Sequence, residues 1–351
     1  MTQQLDPSRR TRMAVVGLGY WGPNLVRNVN ELANAELAMV CDSRRPSLEK
    51  IARRYPGVAT TDDFHDVIAD PTIDAILLAT PVSTHHTLAQ RALRAGKHVF
   101  VEKPLAGSAE EAATLLRLAE ENSCVLMVGH TFLYSPAVNA VRDLIQEGAV
   151  GDIYFISMSR VNLGIHQTDV SVVWDLGPHD FSILRYWLDE NPIAVSAASR
   201  GCVIPGKPDV AFINLEFPSG VIAHVELSWL APSKLRRTTI VGSSQMIVYD
   251  DTSSEPVRVF DSGVVFPDPG SFGEYQLSYR TGSIVSPRID ASEPLFLEMQ
   301  DFCTAIQTGR SPRSSGQIGF DVVRVIEAVH ASLDAGGGRI AVAADSALSV
   351  A

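Results

Sequence analysis

Apolar residues in the first third of the chain fall in short unbroken runs. Met13-Ala14-Val15-Val16, Leu37 to Cys41, Ala75 to Ala79, His98 to Val101 and Val125 to Val128 are such runs. Each is short for a helix and reads as a strand buried on both faces. Helical spacing fills the gaps, over Pro23 to about Leu32, after Pro46 to about Arg54, Asp63 to Ile68, Thr84 to Ala95 and Ser108 to Asn122. Strand and helix thus alternate from Ala14 to Val128. That predicts an α/β fold, with a doubly wound parallel sheet covered by helices on both faces.

The pattern changes after about His130. A helix is expected over Pro136 to Glu147, an alternating, half-buried strand over Ile153 to Val161, and a helix over Val173 to Leu188. Strand-like runs follow at Ala194–Ser199, Val210–Phe217, Val221–Trp229, Arg237–Val241 and Met246–Tyr249, parted by turns such as Pro218-Ser219-Gly220 and Gly242-Ser243. This predicts a second α/β domain with a large, mainly antiparallel meander, helices on one face and the other face open. An open face of that kind packs on a twin subunit, so a homodimer or homotetramer is expected. Phe266 to Pro294 has turn residues and Tyr275 and Tyr279 but little periodicity, and reads as a long loop. Helices over Leu295 to Thr308 and Gln317 to Leu333 and a short strand after Arg339 close the chain. The division expected is 1–131 and 132–351.

The first strand runs straight into Gly17-Leu18-Gly19-Tyr20-Trp21-Gly22. In such a turn Gly17 allows the tight reversal, Gly19 lets the backbone approach a pyrophosphate, and Gly22 lets helix and strand pack closely. Free N–H groups at the helix start would hold the diphosphate, and Pro23 needs none there. The next strand ends at Asp42, placed to accept hydrogen bonds from an adenosine ribose. Strand, glycine turn, helix, strand and acid together make the Rossmann dinucleotide fingerprint, where glycines alone would be an ordinary βα turn. Ser43, Arg44 and Arg45 follow. They are either a solvated loop or a 2′-phosphate site, which would mean NADP. The Asp42 carboxylate would repel that phosphate, so NAD is expected, with NADP as the alternative.

Composition narrows the partners. The 351 residues are 46% hydrophobic and carry a formal charge of −11, which argues against nucleic acid and acidic membrane surfaces. Cys41, Cys124, Cys202 and Cys303 show no paired spacing, so neither a disulfide framework nor a metal site is expected. With no long apolar span, a cytoplasmic protein is expected.

In parallel sheets ligands bind beyond the carboxyl ends of the strands. Thr80-Pro81, Glu102-Lys103-Pro104 and Gly129-His130 all fall there. Lys103 is either a surface lysine snorkelling from a strand end or, partly desolvated beside a nicotinamide, a group that exchanges a proton with an alcohol or ketone. Asp175 and His179 lie four apart on a helix and share a face. They are either a capping acid with a half-buried imidazole or a pair in which the carboxylate fixes the imidazole tautomer. His85 and His130 sit near the cofactor edge, as contacts or as packing. Arg160 and Asn162 end the first strand of the second domain and could bind an anionic or polyhydroxylated substrate. Arg236 and Arg237 read as a solvated strand edge.

Gly17-Leu18-Gly19-Tyr20-Trp21-Gly22, Ala79-Thr80-Pro81, Val101-Glu102-Lys103-Pro104-Leu105 and the later Asp175 and His179 resemble the signature of the glucose-fructose oxidoreductase/inositol dehydrogenase/rhizopine-catabolism family (Gfo/Idh/MocA). The resemblance runs from Arg12 to about Leu333. It implies catalytic roles for Lys103, Asp175 and His179 and a nicotinamide cofactor held by Gly17, Gly19, Tyr20, Trp21, Gly22, Asp42, Ser43, Arg44, Thr80, Pro81, His85, Glu102, Lys103 and His130. The stretches from Tyr20 to Asn24, Gly129 to Pro136, Arg160 to Gly164 and Trp174 to Asp180 resemble the branch acting on nucleotide sugars, the UDP-N-acetylglucosamine and UDP-N-acetylglucosaminuronate 3-dehydrogenases. The implied activity is hydride transfer between C3 of a nucleotide-linked sugar and nicotinamide. Lys103, Arg160, Asn162, Asp175 and His179 would hold that substrate, and Arg160 would meet its diphosphate. Rival readings are a sugar 3-ketoreductase, a polyol dehydrogenase of inositol type, and a cofactor-binding regulator without turnover.

Overall fold

The computed structural model describes residues 9–164, 170–265 and 278–343. They divide into two compact units. The first comprises 9–134 and Ser292–Arg324, the second Ser135–Ala291 and 325–343.

The first unit is built on β1 (Thr11–Val16), β2 (Ala35–Cys41), β3 (Ala59–Thr61), β4 (Ala75–Leu78), β5 (His98–Glu102) and β6 (Leu126–Gly129). All are parallel, in the order β3-β2-β1-β4-β5-β6. The order reverses between β1 and β4, which is where a crevice opens above such a sheet. Helices α1 (Gly22–Glu31), α2 (Arg45–Arg54), α3 (Phe64–Ala69), α4 (Val82–Arg94) and α5 (Ala109–Glu121) connect the strands. Local chemistry sets their starts. Pro23 enters α1 where no N–H is needed. Asp63 caps α3 by accepting the His65 N–H at 2.7 Å. Ser108 caps α5 by accepting the Glu111 N–H at 3.2 Å. The short strand β3 is absent from the sequence reading. Its residues, Ala59-Thr60-Thr61, are small or polar and exposed or half-exposed, so the edge of the sheet leaves no apolar pattern.

The second unit carries α6 (Pro136–Gln146), then β7 (Ile153–Leu163), α7 (Val172–Leu188), β8 (Ala194–Arg200), β9 (Val210–Glu216), β10 (Ile222–Ser228), β11 (Leu230–Gly242), β12 (Met246–Asp250), β13 (Val257–Val265), β14 (Ser278–Val285) and, late in the chain, β15 (Ile340–Ala341). The sheet order is β14-β13-β12-β11-β7-β10-β9-β8-β15, antiparallel except for β7 with β10. Alternation along β7 buries Ile156 and Met158 and exposes Phe155. On the covered face Trp187 of α7 donates its indole N–H to the Val138 carbonyl of α6 at 2.9 Å and meets Tyr249 edge-on.

Two expectations are corrected here. Part of the stretch expected as a loop, Ser278–Val285, is a strand paired with β13, itself unforeseen. β14 is the edge strand of the sheet and β13 lies next to it; β14 (Ser-Tyr-Arg-Thr-Gly-Ser-Ile-Val) has few core-facing positions to betray it. Residues 266–277 of that stretch, with Tyr275, lie outside the described residues, and 286–293 are an irregular connection to the next helix. Second, β11 begins at Leu230, not Arg237, through a register break between Leu230 and Leu235 that carries Pro232.

Two more helices, α8 (Pro294–Thr308) and α9 (Gly316–Asp334), follow β14. In α8, Phe302 is fully buried with its ring 6.0 Å from that of Phe100 of β5, and Cys303 touches the Thr11 hydroxyl at 3.3 Å. An ion pair from Glu293 to Arg27 of α1 fixes the helix start. Phe302→Ala should therefore cost about 3–5 kcal/mol, as loss of a fully buried aromatic does. Urea unfolding checks this, and a change within about 0.5 kcal/mol would mean that α8 is not part of that core.

Candidate active site

The turn between β1 and α1 is fixed by contacts that leave room only for glycine. Gly17 has φ of 90° and donates its N–H to the Cys41 carbonyl at 2.8 Å. A Cβ there would lie 2.7 Å from the Ala79 carbonyl carbon, and one on Gly22 would drive into the Gly17 carbonyl oxygen. The turn thus presses its backbone onto β2, β4 and the start of α1. Beside it, at the β1/β4 reversal, lies a cavity of about 530 Å³ lined by Gly17, Gly19, Asp42, Ser43, Arg44, Thr80 and Pro81. Asp62, Phe64 and Leu88 also line it, and the sequence reading gave none of these three a place in the site. Asp62 and Phe64 stand on the connection that follows the unseen strand β3. Tyr20 is 92% exposed at the turn's tip.

Asp42 is buried and heavily engaged. It accepts the Leu18 N–H at 2.6 Å and the Arg44 N–H at 2.8 Å, and the Arg44 guanidinium grips both its oxygens at 3.1 and 3.0 Å. Burial pushes this carboxyl up, but the hydrogen bonds from Arg44 and Leu18 outweigh it and hold the group below the usual carboxylate range. Arg44 therefore arrives already paired with the acid that would repel a 2′-phosphate. The glycine cradle, the cavity at the strand reversal and the anchored acid fit a dinucleotide with its adenosine over β1 and β2.

Beyond the β4, β5 and β6 ends stand the other expected residues of this unit. Glu102 ends β5, paired in register with Gly129 of β6, whose missing side chain makes room for it: a Cβ on Gly129 would lie 2.8 Å from Glu102 Oε2. Burial raises the Glu102 carboxyl to about 7 against the opposing pull of the adjacent Lys103 charge. The Trp21 indole faces this carboxylate without closing a hydrogen bond. His130 is 1% exposed and neither ring nitrogen has a hydrogen-bond partner. Burial, helped by the Lys103 charge, lowers it to about 3, so it is neutral.

His85 corrects an expectation. Expected to touch the cofactor, it is fully buried, with Nδ1 at 2.8 Å from the Pro104 carbonyl and Nε2 at 2.8 Å from the Thr80 carbonyl. It ties the loop after β4 to the loop after β5. Burial lowers its pKa against the pull of those two carbonyls. Glu298 of α8 was missed outright. It is fully buried and accepts the Thr131 hydroxyl at 2.7 Å. A lone glutamate in an apolar helix, nearly two hundred positions from Glu102, gives no local sequence signal.

In the second unit, α7 sets Asp175 and His179 one turn apart. Ser171, not Asp175, occupies the N-cap position of this helix, and its side chain makes no capping hydrogen bond. Asp175 instead accepts the indole N–H of the buried Trp229 at 3.1 Å. Trp229 is pinned in turn: its N–H reaches the Asp209 carbonyl and its carbonyl receives the Gly164 N–H, both at 2.9 Å. A Cβ on Gly164 would strike the Trp229 ring at 2.7 Å and approach Asn162 Nδ2 at 3.4 Å. Trp229 is thus the orienting partner of Asp175 that sequence spacing did not reveal. Arg160 is a further correction. It is 4% exposed, and its fork closes on Asp180 of α7 at 2.8 and 2.9 Å. The anion contact expected of it is replaced by an internal ion pair, which holds α7 onto β7.

These features define an oxidoreductase with an NAD-binding Rossmann domain and a second α/β domain. Residues 11–130 match the model for an oxidoreductase family with an NAD-binding Rossmann fold, and 138–248 match the GFO/IDH/MocA C-terminal domain. The chain is 31% identical to the inositol 2-dehydrogenase of Rhizobium meliloti (strain 1021), over 90% of this chain and 95% of that one. It is 28% identical to the scyllo-inositol 2-dehydrogenase (NAD(+)) of Bacillus subtilis (strain 168), over 86% and 88%. The crystal structure of GenD2 from gentamicin A biosynthesis in complex with NAD shares the fold, with TM-score 0.81 and 23% identity over 98% of this chain and 99% of that one. The chain belongs to the Gfo/Idh/MocA oxidoreductase family.

The neutral, buried His130 has a pH consequence. Its folded pKa lies below the unfolded value, so the stability it contributes is present above 6.5 and is lost as pH falls toward about 3. His130→Gln should therefore lose less stability than the wild type on acidification below 6.5. Urea unfolding across that window checks this, and parallel losses in the two proteins would contradict it.

Proposed function

We propose that this protein is an NAD-dependent dehydrogenase of a secondary alcohol on a neutral cyclic polyol of inositol type. The observation that carries the choice of substrate is Arg160. The nucleotide-sugar reading, that of the UDP-N-acetylglucosamine and UDP-N-acetylglucosaminuronate 3-dehydrogenases, assigns this cation to a diphosphate, yet its fork is spent on Asp180 in the protein interior. A neutral polyol needs no such cation. The identity with inositol 2-dehydrogenases over most of the chain supports the same choice.

The glycine turn and Asp42 would hold the dinucleotide. Bound NAD would supply a hydride acceptor at C4 of its nicotinamide. Lys103, at the end of β5, takes the proton from the substrate hydroxyl. Asp175, held by Trp229, stands one helical turn from His179, and the two would hydrogen-bond the substrate hydroxyls. Asn162 is a further polar contact for a polyhydroxylated ring.

Absorbance at the NADH band tests the substrate and Lys103 together. Myo- or scyllo-inositol with NAD⁺ should give NADH, and UDP-N-acetylglucosaminuronate should not. Turnover of the nucleotide sugar alone would overturn the polyol reading. Lys103→Ala should lower kcat roughly 10²–10⁴-fold, the usual loss of a general acid–base group. An unchanged kcat would remove Lys103 from the mechanism.

The assembly we propose is a homodimer or homotetramer through the open face of the nine-stranded sheet. Phe155 and Ile222, exposed there, are register partners on β7 and β10, and the neighbouring Phe212 stacks on His224. Phe155→Glu should shift the mass in light scattering toward the monomer, whereas a wild-type monomer would exclude this assembly. The four free cysteines support a reducing, cytoplasmic location. No helix among the described residues is long and apolar enough to cross a membrane.

A further inference from the structure

The ribose end of the dinucleotide crevice already holds an occupant, and it is a side chain of the protein itself. Asp42 is the acid placed to receive the two adjacent hydroxyls of an adenosine ribose. A carboxylate offers about four lone-pair directions, two on each oxygen. At Asp42 all are in use. Oδ1 accepts the Arg44 main-chain N–H at 2.8 Å and Arg44 Nε at 3.1 Å. Oδ2 accepts the Leu18 N–H at 2.6 Å and Arg44 Nη2 at 3.0 Å. Each oxygen thus has one main-chain donor, fixed by the fold, and one prong of the guanidinium fork.

We propose that the Arg44 fork occupies the ribose subsite in the cofactor-free protein, as an internal competitor that the two hydroxyls of the entering ribose must displace.

Geometry sets the two in competition. The fork presents a pair of donors side by side to the two oxygens of one carboxylate. The vicinal hydroxyls of a ribose present a similar pair. Fork and diol therefore need the same two acceptor positions and cannot hold them together. The main-chain bonds from Leu18 and Arg44 can persist in both states. A second contact points the same way. Gly19 is the glycine whose missing side chain lets the backbone approach a pyrophosphate. A Cβ there would meet Arg44 Nη2 at 3.9 Å. The guanidinium therefore lies against the glycine turn as well as on the acid, and Gly19, Asp42 and Arg44 all line the same cavity.

The contact is also easy to open. The Asp42 side chain is 5% exposed, whereas that of Arg44 is 60% exposed. Among the described residues the guanidinium hydrogen-bonds Asp42 alone. Water can take over its N–H groups as it swings out, while the acid keeps its buried place. This role of Arg44 rests on the dinucleotide site and not on the polyol reading.

Two measurements on the full-length protein test it, and neither needs a substrate. The first follows the Arg44 Nε–H by ¹⁵N NMR, with the signal assigned by its loss in Arg44→Ala. Saturating NAD⁺ should shift this resonance from its free-protein position, and a signal left in place would overturn the proposal. The second titrates NADH by its fluorescence. Arg44→Ala should bind NADH roughly two- to fivefold more tightly than the wild type, the range that an ion pair open to solvent is worth. Equal or weaker binding would overturn the competition. If Arg44→Ala does not fold, as judged by circular dichroism, Arg44→Lys decides in its place. It keeps the charge but lacks the two-pronged fork, and should shift binding in the same direction. An absence of NADH binding in both proteins would remove the dinucleotide site and this proposal together. Binding that fails to tighten removes the proposal alone.

Discussion

The Asp42 carboxylate is the junction on which the cofactor side of the molecule depends. It sits at the end of β2 and takes donors from two different segments, the N–H of Leu18 in the glycine turn and the N–H and guanidinium of Arg44. The first contact pins a turn whose glycines have no side chains with which to hold it. The second pins the start of α2, whose first residues carry no other side-chain cap. Because charge-assisted hydrogen bonds of this kind are roughly twice as strong as neutral ones, a single buried acid can hold two loops that would otherwise move independently. The glycines make the crevice possible, and Asp42 keeps its walls in register.

The same device recurs in the second unit with other partners. Arg160 and Asp180 are buried opposite charges that cost much to desolvate, so their pairing specifies a position more than it adds stability. Here the position is that of α7 on β7. Trp229 then adds a directional contact to Asp175 on the same helix. The helix bearing the expected substrate-facing pair is therefore located by an ion pair and oriented by an indole. The ion pair is made by residues outside the proposed chemistry, and the indole reaches Asp175 itself.

Much of this was readable in the chain. The parallel strands of the first unit are continuous apolar runs, because both of their faces are covered, and such runs need no context to be recognised. The glycine turn was legible for a similar reason: its requirements are local and steric. Edge strands were not. Ala59–Thr61 and Ser278–Val285 owe their conformation to a neighbour's main chain, and main-chain pairing leaves no mark on side-chain pattern. The site followed the same division. Gly17, Gly22 and Asp42 stand in contiguous sequence and could be read together. Glu298 and Trp229 reach their partners only through the fold. Arg160 was visible as a cation, but its role was set by Asp180, twenty positions on and on another element.

The late position of α8 has a consequence for biosynthesis. The Rossmann sheet is complete as soon as β6 has been made, yet its apolar surface at Phe100 waits for Phe302, and Thr11 waits for Cys303. On the ribosome nearly the whole second unit must emerge before that surface is closed. During that interval the nascent chain carries an unfinished hydrophobic face, the kind of exposure that chaperones recognise and that makes large proteins prone to aggregate. Translation speed through the second unit, and not only the strength of the finished contacts, thereby becomes a determinant of how much of this protein reaches its native state.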